Sequence, residues 1–230
     1  MKVGVITFPG SNCDDDMRHV MGDVLGQEVV PLWHKDTDIQ SCDLLVVPGG
    51  FSYGDYLRSG AIAQFSPIME SVRSHASKGG LVLGICNGFQ ILCEAELLPG
   101  TLIHNVDHKF ICKNTHIVPV SRSASLTAGL DTVVALEIPI AHAEGNYFDH
   151  PDAIKALEDR DDVLFRYSDS HGNVTDSSNP NGSLNNIAGV CNAGKNVFGM
   201  MPHPERAAED LVGNRDGLTI LSGLLEQLPV

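Results

Sequence analysis

LVLGICNGFQ, residues 81–90, is an apolar run that passes directly into the pattern Gly-x-Cys-x-Gly. No polar residue interrupts positions 81–85, which predicts a strand buried on both faces. A helix is predicted from Asn87 to about Leu98, where Pro99-Gly100 closes it. Cys86 therefore stands on a tight strand-to-helix turn, and Gly84 and Gly88 leave room for a strained backbone there.

A cysteine on such a turn is suited to nucleophilic chemistry. The backbone N–H groups of the first helical turn stabilise a thiolate. The N–H of Asn87 points to where an oxyanion would develop during attack on a carbonyl. The alternative is a buried cysteine on a glycine-bounded turn of an ordinary α/β core.

The histidine that best fits a catalytic base lies in MPHPE, residues 201–205. Side chains at i and i+2 of an extended chain share a face, so Glu205 can reach the imidazole of His203. Pro204 favours that extended conformation at His203. A carboxylate on one ring nitrogen would fix the tautomer and leave the other nitrogen facing a thiol. The alternative is a surface turn, because His-Pro-Glu is common there.

A third candidate element is Pro48-Gly49-Gly50-Phe51, directly after a predicted strand. It lacks the Lys-Ser/Thr of a P-loop, and the chain has no G-x-G-x-x-G. Paired glycines let backbone N–H groups approach a reacting carbonyl, so Gly50 and Phe51 are candidates for the second half of an oxyanion hole. The alternative is a simple turn. All three elements follow predicted strands, and open α/β sheets build their sites at strand carboxyl ends.

Strands and helices alternate over the first hundred residues, which predicts an α/β fold with a flavodoxin-like, open, mostly parallel sheet and flanking helices. Further strands are predicted in the C-terminal half, without long helices between most of them, and a loop or turn within 169–186. We predict a single domain over residues 1–230, because no repeat or linker divides the chain. The predicted strands are 3–8, 28–33, 44–47, 81–85, 109–121, 132–141, 163–167, 187–191 and 196–200. The predicted helices are about 12–26, 57–77 (kinked or split at Pro67), 87–98 and 215–228.

Composition excludes several classes of protein. The chain holds 15 Lys+Arg against 29 Asp+Glu, a net charge of −14, which argues against nucleic-acid or anionic-membrane surfaces as partners. No stretch approaches the roughly 18–20 apolar residues of a membrane span. The six cysteines are scattered without a C-x-x-C pair, and the apolar N-terminal run stops at Pro9-Gly10, too early for a signal peptide. We therefore expect a cytoplasmic protein.

A metal site is not expected. His104, Asp107 and His108 are three candidate ligands close together in sequence. Their loop-like surroundings and the absence of further partners favour a solvated turn.

The motifs in combination resemble a known family. Pro-Gly-Gly at 48–50, GICNGFQ at 84–90 and His-Pro-Glu at 203–205 are similar to those of the triad-type (class I) glutamine amidotransferases. Four longer motifs resemble, more narrowly, the glutaminase subunits of phosphoribosylformylglycinamidine synthase of purine biosynthesis. These are FPGSNCDD at 8–15, GGFSYGDYLR at 49–58, AHAEGNY at 141–147 and GMMPHPER at 199–206.

That resemblance implies a role for each candidate. Cys86 would attack the carboxamide of glutamine, with His203 as general acid and base and Glu205 as its orienting group. Backbone N–H groups at Gly50–Phe51 and Asn87 would hold the oxyanion, and Gln90 would contact the substrate. The resemblance also points to His142, Glu144 and Asn146 as secondary site or interface residues, although a structural turn explains them equally well.

The resemblance further implies partners. Ammonia would pass through a protein channel to a large synthetase subunit that converts formylglycinamide ribonucleotide to the amidine, with a small bridging subunit in the complex. No cofactor is expected in this chain, and ATP and magnesium are expected on the synthetase. Two alternatives are another triad amidotransferase subunit, such as those of pyridoxal phosphate or histidine synthesis, and a protease- or chaperone-like protein with the same cysteine turn. A binding module with an inert Cys86 is a third.

Overall fold

The computed structural model describes residues 1–226. That part of the chain forms eleven strands and five α-helices. The strands are β1 Lys2–Thr7, β2 Glu28–Trp33, β3 Leu44–Val47, β4 Leu81–Ile85, β5 Thr101–Ile103, β6 Ile111–Pro119, β7 Leu136–His142, β8 Asn146–Phe148, β9 Val163–Ser168, β10 Ile187–Cys191 and β11 Val197–Met200. The helices are α1 Asp14–His19, α2 Pro67–Ser77, α3 Asn87–Glu94, α4 Pro151–Asp159 and α5 Asp216–Glu226.

Nine of these strands form one sheet in the order β2-β1-β3-β4-β11-β10-β9-β6-β7. The pairs from β2 to β11 are all parallel, and the pairs from β11 to β7 are all antiparallel. The parallel part has the strand order of flavodoxin-like sheets. The predicted fold class is confirmed: an open parallel sheet with flanking helices, extended by strands from the C-terminal half.

The core lies along the centre of this sheet. Every residue of β3, β4, β10 and β11 is buried, as uninterrupted apolar strands require. α3 packs against β3, β4 and β11, and its residues 87–93 are buried as well. The turn between β4 and α3 therefore connects two buried elements.

One predicted helix, 57–77, is wrong over its first ten residues. The helix α2 begins only at Pro67, and 57–66 forms irregular turns with a short 3₁₀ segment at Ala63–Phe65. Leu57 has a positive φ of 71°, which no right-handed helix accommodates. The apolar spacing was misleading because Phe65, which fits a helical stripe, is 80% exposed.

Other boundaries differ by less. The predicted helix 12–26 is the α-helix α1 followed by a π-helical segment, Val20–Val24. α3 ends at Glu94, before the predicted Leu98. The end predicted for the last helix, Leu228, lies outside the described residues. The helix α4 and the small antiparallel sheet of β5 and β8 were not predicted. Within residues 1–226, none of the helices has the length and apolar character that crossing a bilayer requires.

Candidate active site

Cys86 occupies a strained turn at the carboxyl end of β4. Its backbone has φ 51° and ψ −108°, a combination that side chains with a Cβ rarely adopt. Its N–H donates to the carbonyl of Met200 at the end of β11, at 2.8 Å. A Cβ on Gly88 would lie 1.8 Å from the carbonyl oxygen of Val47, so only glycine lets α3 start this close to β3. The packing of the sheet, and not the local sequence alone, holds the turn in place.

His203 and Glu205 form a buried pair just after β11. Nδ1 of His203 lies 2.6 Å from Oε1 of Glu205, and their side chains are 2% and 0% exposed. Nε2 of His203 has no hydrogen-bond partner within the described residues. Burial opposes a charge on the imidazole, but the Glu205 carboxylate and then the thiols of Cys86 and Cys13 raise the pKa of His203 well above its usual value.

Gly49, after β3, is the point where these side chains meet. A Cβ built on Gly49 would lie 2.7 Å from Cε1 of His203, 3.1 Å from Sγ of Cys13 and 3.4 Å from Cβ of Cys86. Cys13 follows β1 in the chain. The carboxyl ends of β1, β3, β4 and β11 therefore converge on one site, as expected for an open α/β sheet.

A cavity of about 230 Å³ opens onto Cys86. Six of the residues predicted from the sequence line it: Gly50, Phe51, Cys86, Gln90, His142 and Glu144. Its other lining residues are Asp55, Ser59, Ala141 and Ala143. The site thus combines a thiol, an imidazole–carboxylate pair and a small cavity, the arrangement required for acyl transfer through a thioester.

Comparison with known proteins agrees with this chemistry. The family model of the CobB/CobQ-like glutamine amidotransferase domain matches residues 1–216. The phosphoribosylformylglycinamidine synthase subunit PurQ of Koribacter versatilis is 53% identical over 225 residues, which cover 98% of this chain and 97% of that protein. The PurQ subunit of Chlorobium luteolum is 52% identical over 228 residues, 99% of each chain. The chain belongs to the PurQ family of glutamine amidotransferases.

One solved structure supports the same assignment, and a second shares the fold. PurLQS from Thermotoga maritima contains a chain with a TM-score of 0.87 and 38% identity, matched over 99% of both chains. A glutamine amidotransferase from Thermotoga maritima, at 15% identity and a TM-score of 0.60 over 98% of this chain and 96% of that one, shares the fold. The resemblance stated from the sequence motifs is confirmed at the level of the family.

The N–H groups of this amidotransferase site differ in their availability. The N–H of Phe51 donates to the carbonyl of Gly10 at 3.0 Å. The N–H of Gly50 makes no hydrogen bond within residues 1–226, and that of Asn87, at the first position of α3, has no helical acceptor. Gly50 and Asn87, rather than Phe51, are therefore the groups whose N–H can meet an oxyanion.

The side chains of Asn87 and Gln90 are hydrogen-bonded to each other beside the cavity. Nδ2 of Asn87 donates to Oε1 of Gln90 at 2.9 Å and to Oδ1 of Asp55 at 3.3 Å. Nε2 of Gln90 donates to the carbonyl of Glu144 at 2.6 Å. The Asn87 side chain supports the cavity wall and does not line the cavity.

His142 and Asn146 occupy different surroundings. His142 is buried, and its Nδ1 lies 3.1 Å from Oδ1 of Asn105. Burial, and then the charge at His203, lowers the pKa of His142 to about 4, so this imidazole is neutral. Asn146 lies outside the cavity, on β8, where its Nδ2 contacts the carbonyl of His104 at 3.4 Å.

Four residues near the site were not predicted from the sequence: Cys13, Asp55, Ser59 and Arg206. The guanidinium of Arg206 lies 3.1 Å from Sγ of Cys13 and 3.2 Å from Oδ2 of Asp16. All four lie inside or just beside the motifs that carried the family resemblance, which is the signal that pointed to them. No spacing rule indicates them, because they reach the site from three different loops, after β1, β3 and β11.

Metal ligands converge at one place in the described part of the chain. One ligand atom each of Cys13, His203 and Glu205 lies within 4.8 Å of the others. A cation there would displace the His203–Glu205 hydrogen bond and stand beside the guanidinium of Arg206, so the contacts favour the dyad over a metal. His104, Asp107 and His108 lie in an exposed turn, where Asp107 Oδ1 accepts from the N–H of Lys109.

Proposed function

We propose that this chain is the glutaminase subunit of a phosphoribosylformylglycinamidine synthase. It hydrolyses glutamine to glutamate and ammonia, and the ammonia is passed to a synthetase subunit. The synthetase subunit uses this ammonia to convert formylglycinamide ribonucleotide to formylglycinamidine ribonucleotide, as part of purine biosynthesis. The PurQ relatives, at about half identity over nearly the whole chain, favour this over other triad amidotransferases and over protease- or chaperone-like proteins.

In the first half of the reaction, the proton of the Cys86 thiol passes to His203, whose raised pKa favours the imidazolium. The resulting thiolate sulfur forms a bond to the carboxamide carbon of glutamine. The negative charge that develops on the carboxamide oxygen is met by the N–H groups of Gly50 and Asn87. His203 then delivers the proton to the nitrogen as the C–N bond breaks, and ammonia leaves. The product on the enzyme is a γ-glutamyl thioester.

In the second half, water replaces ammonia. His203 accepts a proton from the water as its oxygen bonds to the thioester carbon, and the C–S bond breaks. Glutamate leaves and the thiol of Cys86 regains its proton. Glu205 orients the imidazole in both halves through its hydrogen bond to Nδ1.

One observation carries the proposal. A buried imidazole–carboxylate pair and a cysteine on a strained strand-to-helix turn meet at Gly49, beside a cavity. An inert core cysteine would need neither the strained backbone nor the buried His203–Glu205 pair. The geometry therefore supports a thiol that reacts.

The partners follow from the same proposal. The large synthetase subunit would bind ATP and magnesium, and a small bridging subunit would complete the assembly. The similarity of this chain to a chain of PurLQS from Thermotoga maritima supports a complex of several subunits. No cofactor is assigned to this chain.

We also propose a single domain and a cytoplasmic location. One sheet takes strands from both halves of the chain, which supports the first. Six free cysteines, five of them buried, support a reducing compartment.

The test is Cys86→Ala in the assembled complex with its synthetase. Glutamine-dependent synthesis should fall by at least about 10³-fold, because the nucleophile is lost. Synthesis from added ammonium salt should continue, since that route bypasses Cys86. Cys112→Ala, which alters an exposed cysteine that does not line the cavity, is the matched control and should keep both activities. Continued use of glutamine by the Cys86 variant would overturn the proposal.

A further inference from the structure

Two carboxylates line the cavity beside Cys86. They belong to Asp55, on the loop after β3, and Glu144, on the turn after β7. Glu144 accepts from the N–H of Ser59 at 3.3 Å, and its other oxygen lies 3.4 Å from Nδ1 of the exposed His104. Asp55 accepts from Asn87 at 3.3 Å and makes no ion pair within residues 1–226. The cavity is therefore acidic on one side, and Asp55 lacks a cation of its own.

The pKa of Asp55 also indicates that its negative charge is incompletely compensated. Partial burial, and then the negative charge of Glu144, raise the pKa of Asp55 to about 6. Hydrogen bonds from Ser59 and Asn87 lower this pKa but do not cancel the increase. A half-buried carboxylate close to a second one is costly unless a positive charge compensates it. A ligand with a cationic group would supply that compensation.

Asp55 also lies at a defined position relative to the nucleophile. Asn87 is the residue after Cys86, and its side chain bonds to Asp55 and to Gln90. Gln90 in turn donates to the backbone of Glu144. Through Asn87, these contacts link three residues that line the cavity, Asp55, Gln90 and Glu144, and Cys86 lines the same cavity.

Side-chain contacts on both sides hold the loop that carries Asp55 in place. Asp55 has a positive φ of 52°, and its neighbour Tyr53 one of 56°. The Tyr53 hydroxyl lies 2.7 Å from Nδ1 of His34, and Arg58 forms two hydrogen bonds, of 2.7 and 2.6 Å, with Glu94 of α3. A strained backbone that contacts on both sides hold in place is typical of preorganised binding sites.

We propose that Asp55, supported by Glu144, binds the α-ammonium group of glutamine and thereby selects amides that carry one. The inference rests on the proposed function, which places the carboxamide of glutamine at Cys86. The α-ammonium lies at the opposite end of that substrate and needs an anionic partner. Of the two cavity carboxylates, Asp55 is the one that forms no ion pair within residues 1–226. Binding of the ammonium would compensate the charge that burial disfavours.

The experiment compares Asp55→Asn with the wild-type chain in the assembled complex. Two ligands are used: L-glutamine, and glutaramate, which is glutamine without the α-amino group. The KM for glutamine and the inhibition constant of glutaramate against glutamine are both measured, so that the comparison does not depend on turnover of glutaramate. Asparagine keeps the acceptor oxygen for Asn87 and removes the charge.

The variant should raise the KM for glutamine by about 10- to 100-fold, the effect of losing one charge-assisted hydrogen bond. The inhibition constant of glutaramate should stay the same or fall. Glu144→Gln should change both constants in the same directions but less. Asp107→Asn, an exposed carboxylate outside the cavity, is the control and should change neither.

Equal weakening of both ligands by Asp55→Asn would show a structural role and overturn the subsite. An unchanged KM for glutamine would overturn it as well. A wild-type complex that does not hydrolyse glutamine would overturn the proposed function, and the subsite with it. Failure of the subsite alone leaves wild-type glutamine hydrolysis intact, so the two failures are distinguishable.

Discussion

At the scale of single residues, the site depends on a glycine as well as on reactive side chains. Gly49 leaves the space in which His203, Cys13 and Cys86 approach one another. The thiol of Cys13 is held there by Arg206 at 3.1 Å and lies close to Oδ1 of Asn12 at 3.3 Å. The orientation of His203 is thus set from two sides, by Glu205 and by the packing around Gly49.

Gly49→Ala should lower glutamine hydrolysis by about 10²-fold, because the new Cβ would displace the imidazole from the thiol. Glutamine turnover by the complex is the measurement. Ammonia-dependent synthesis should persist, which separates a damaged glutaminase site from a damaged complex. Gly22→Ala is the matched control, since a Cβ there meets nothing closer than 3.4 Å. Activity of Gly49→Ala within about threefold of wild type would contradict the role given to this contact.

His142 makes stability depend on pH. Burial, then the charge at His203, lowers the pKa of His142 from 6.5 to about 4. Between these values the unfolded chain binds a proton that the folded chain does not, so the free energy of unfolding falls as pH falls from 6.5 towards 4. The full loss is about 3 kcal/mol, and above 6.5 the contribution is constant.

His142→Asn should remove that dependence while keeping a donor for Oδ1 of Asn105. Denaturant unfolding of both proteins at a series of pH values measures it. The stability difference between wild type and variant should shift in favour of the variant as the pH is lowered. Parallel stability curves for the two proteins would show that His142 titrates alike in the folded and unfolded chains.

At the scale of elements, the segment before α2 shows why one helix prediction failed. Ser66 has φ −66° and ψ 144°, the extended conformation that a following proline favours. Pro67 occupies the first helical position, where its missing N–H costs nothing. The apolar spacing of 57–66 suggested that the helix extends through the proline, but a proline begins this helix.

Pro67→Ala should therefore lower the free energy of unfolding by about 0.4–1 kcal/mol, because alanine gives the unfolded chain more freedom. Pro151→Ala, at the equivalent position of α4, should behave alike and is the comparison variant. Denaturant unfolding measures both. A gain approaching about 3 kcal/mol in Pro67→Ala would mean instead that the proline interrupts a continuous helix.

At the scale of the whole molecule, strand order assembles the site. The neighbouring strands of the sheet include β1, β3, β4 and β11, yet Cys13 and Arg206, which touch, are 193 residues apart in the chain.

The net charge of the chain is −14, and the cavity also carries negative groups, Asp55 and Glu144. The acidic side of the cavity is a local feature that the total charge does not reveal.

The sequence by itself determined the parallel strands, the turn that carries Cys86, and the pairing of His203 with Glu205. Each of these depends on residues close together in the chain, where periodicity, glycine spacing and proline restrict the backbone directly. The sequence did not determine the helix α4, the sheet of β5 and β8, or the irregular turns of 57–66, because similar apolar spacings occur in helices, strands and loops.

Only the tertiary structure decided that Cys13, Cys86 and His203 meet at Gly49, that the N–H of Phe51 is already used, and that Asp55 and Glu144 share a cavity. These are contacts between loops that follow different strands. Their distances depend on strand order and on close packing through the core, and no local pattern in the chain encodes either.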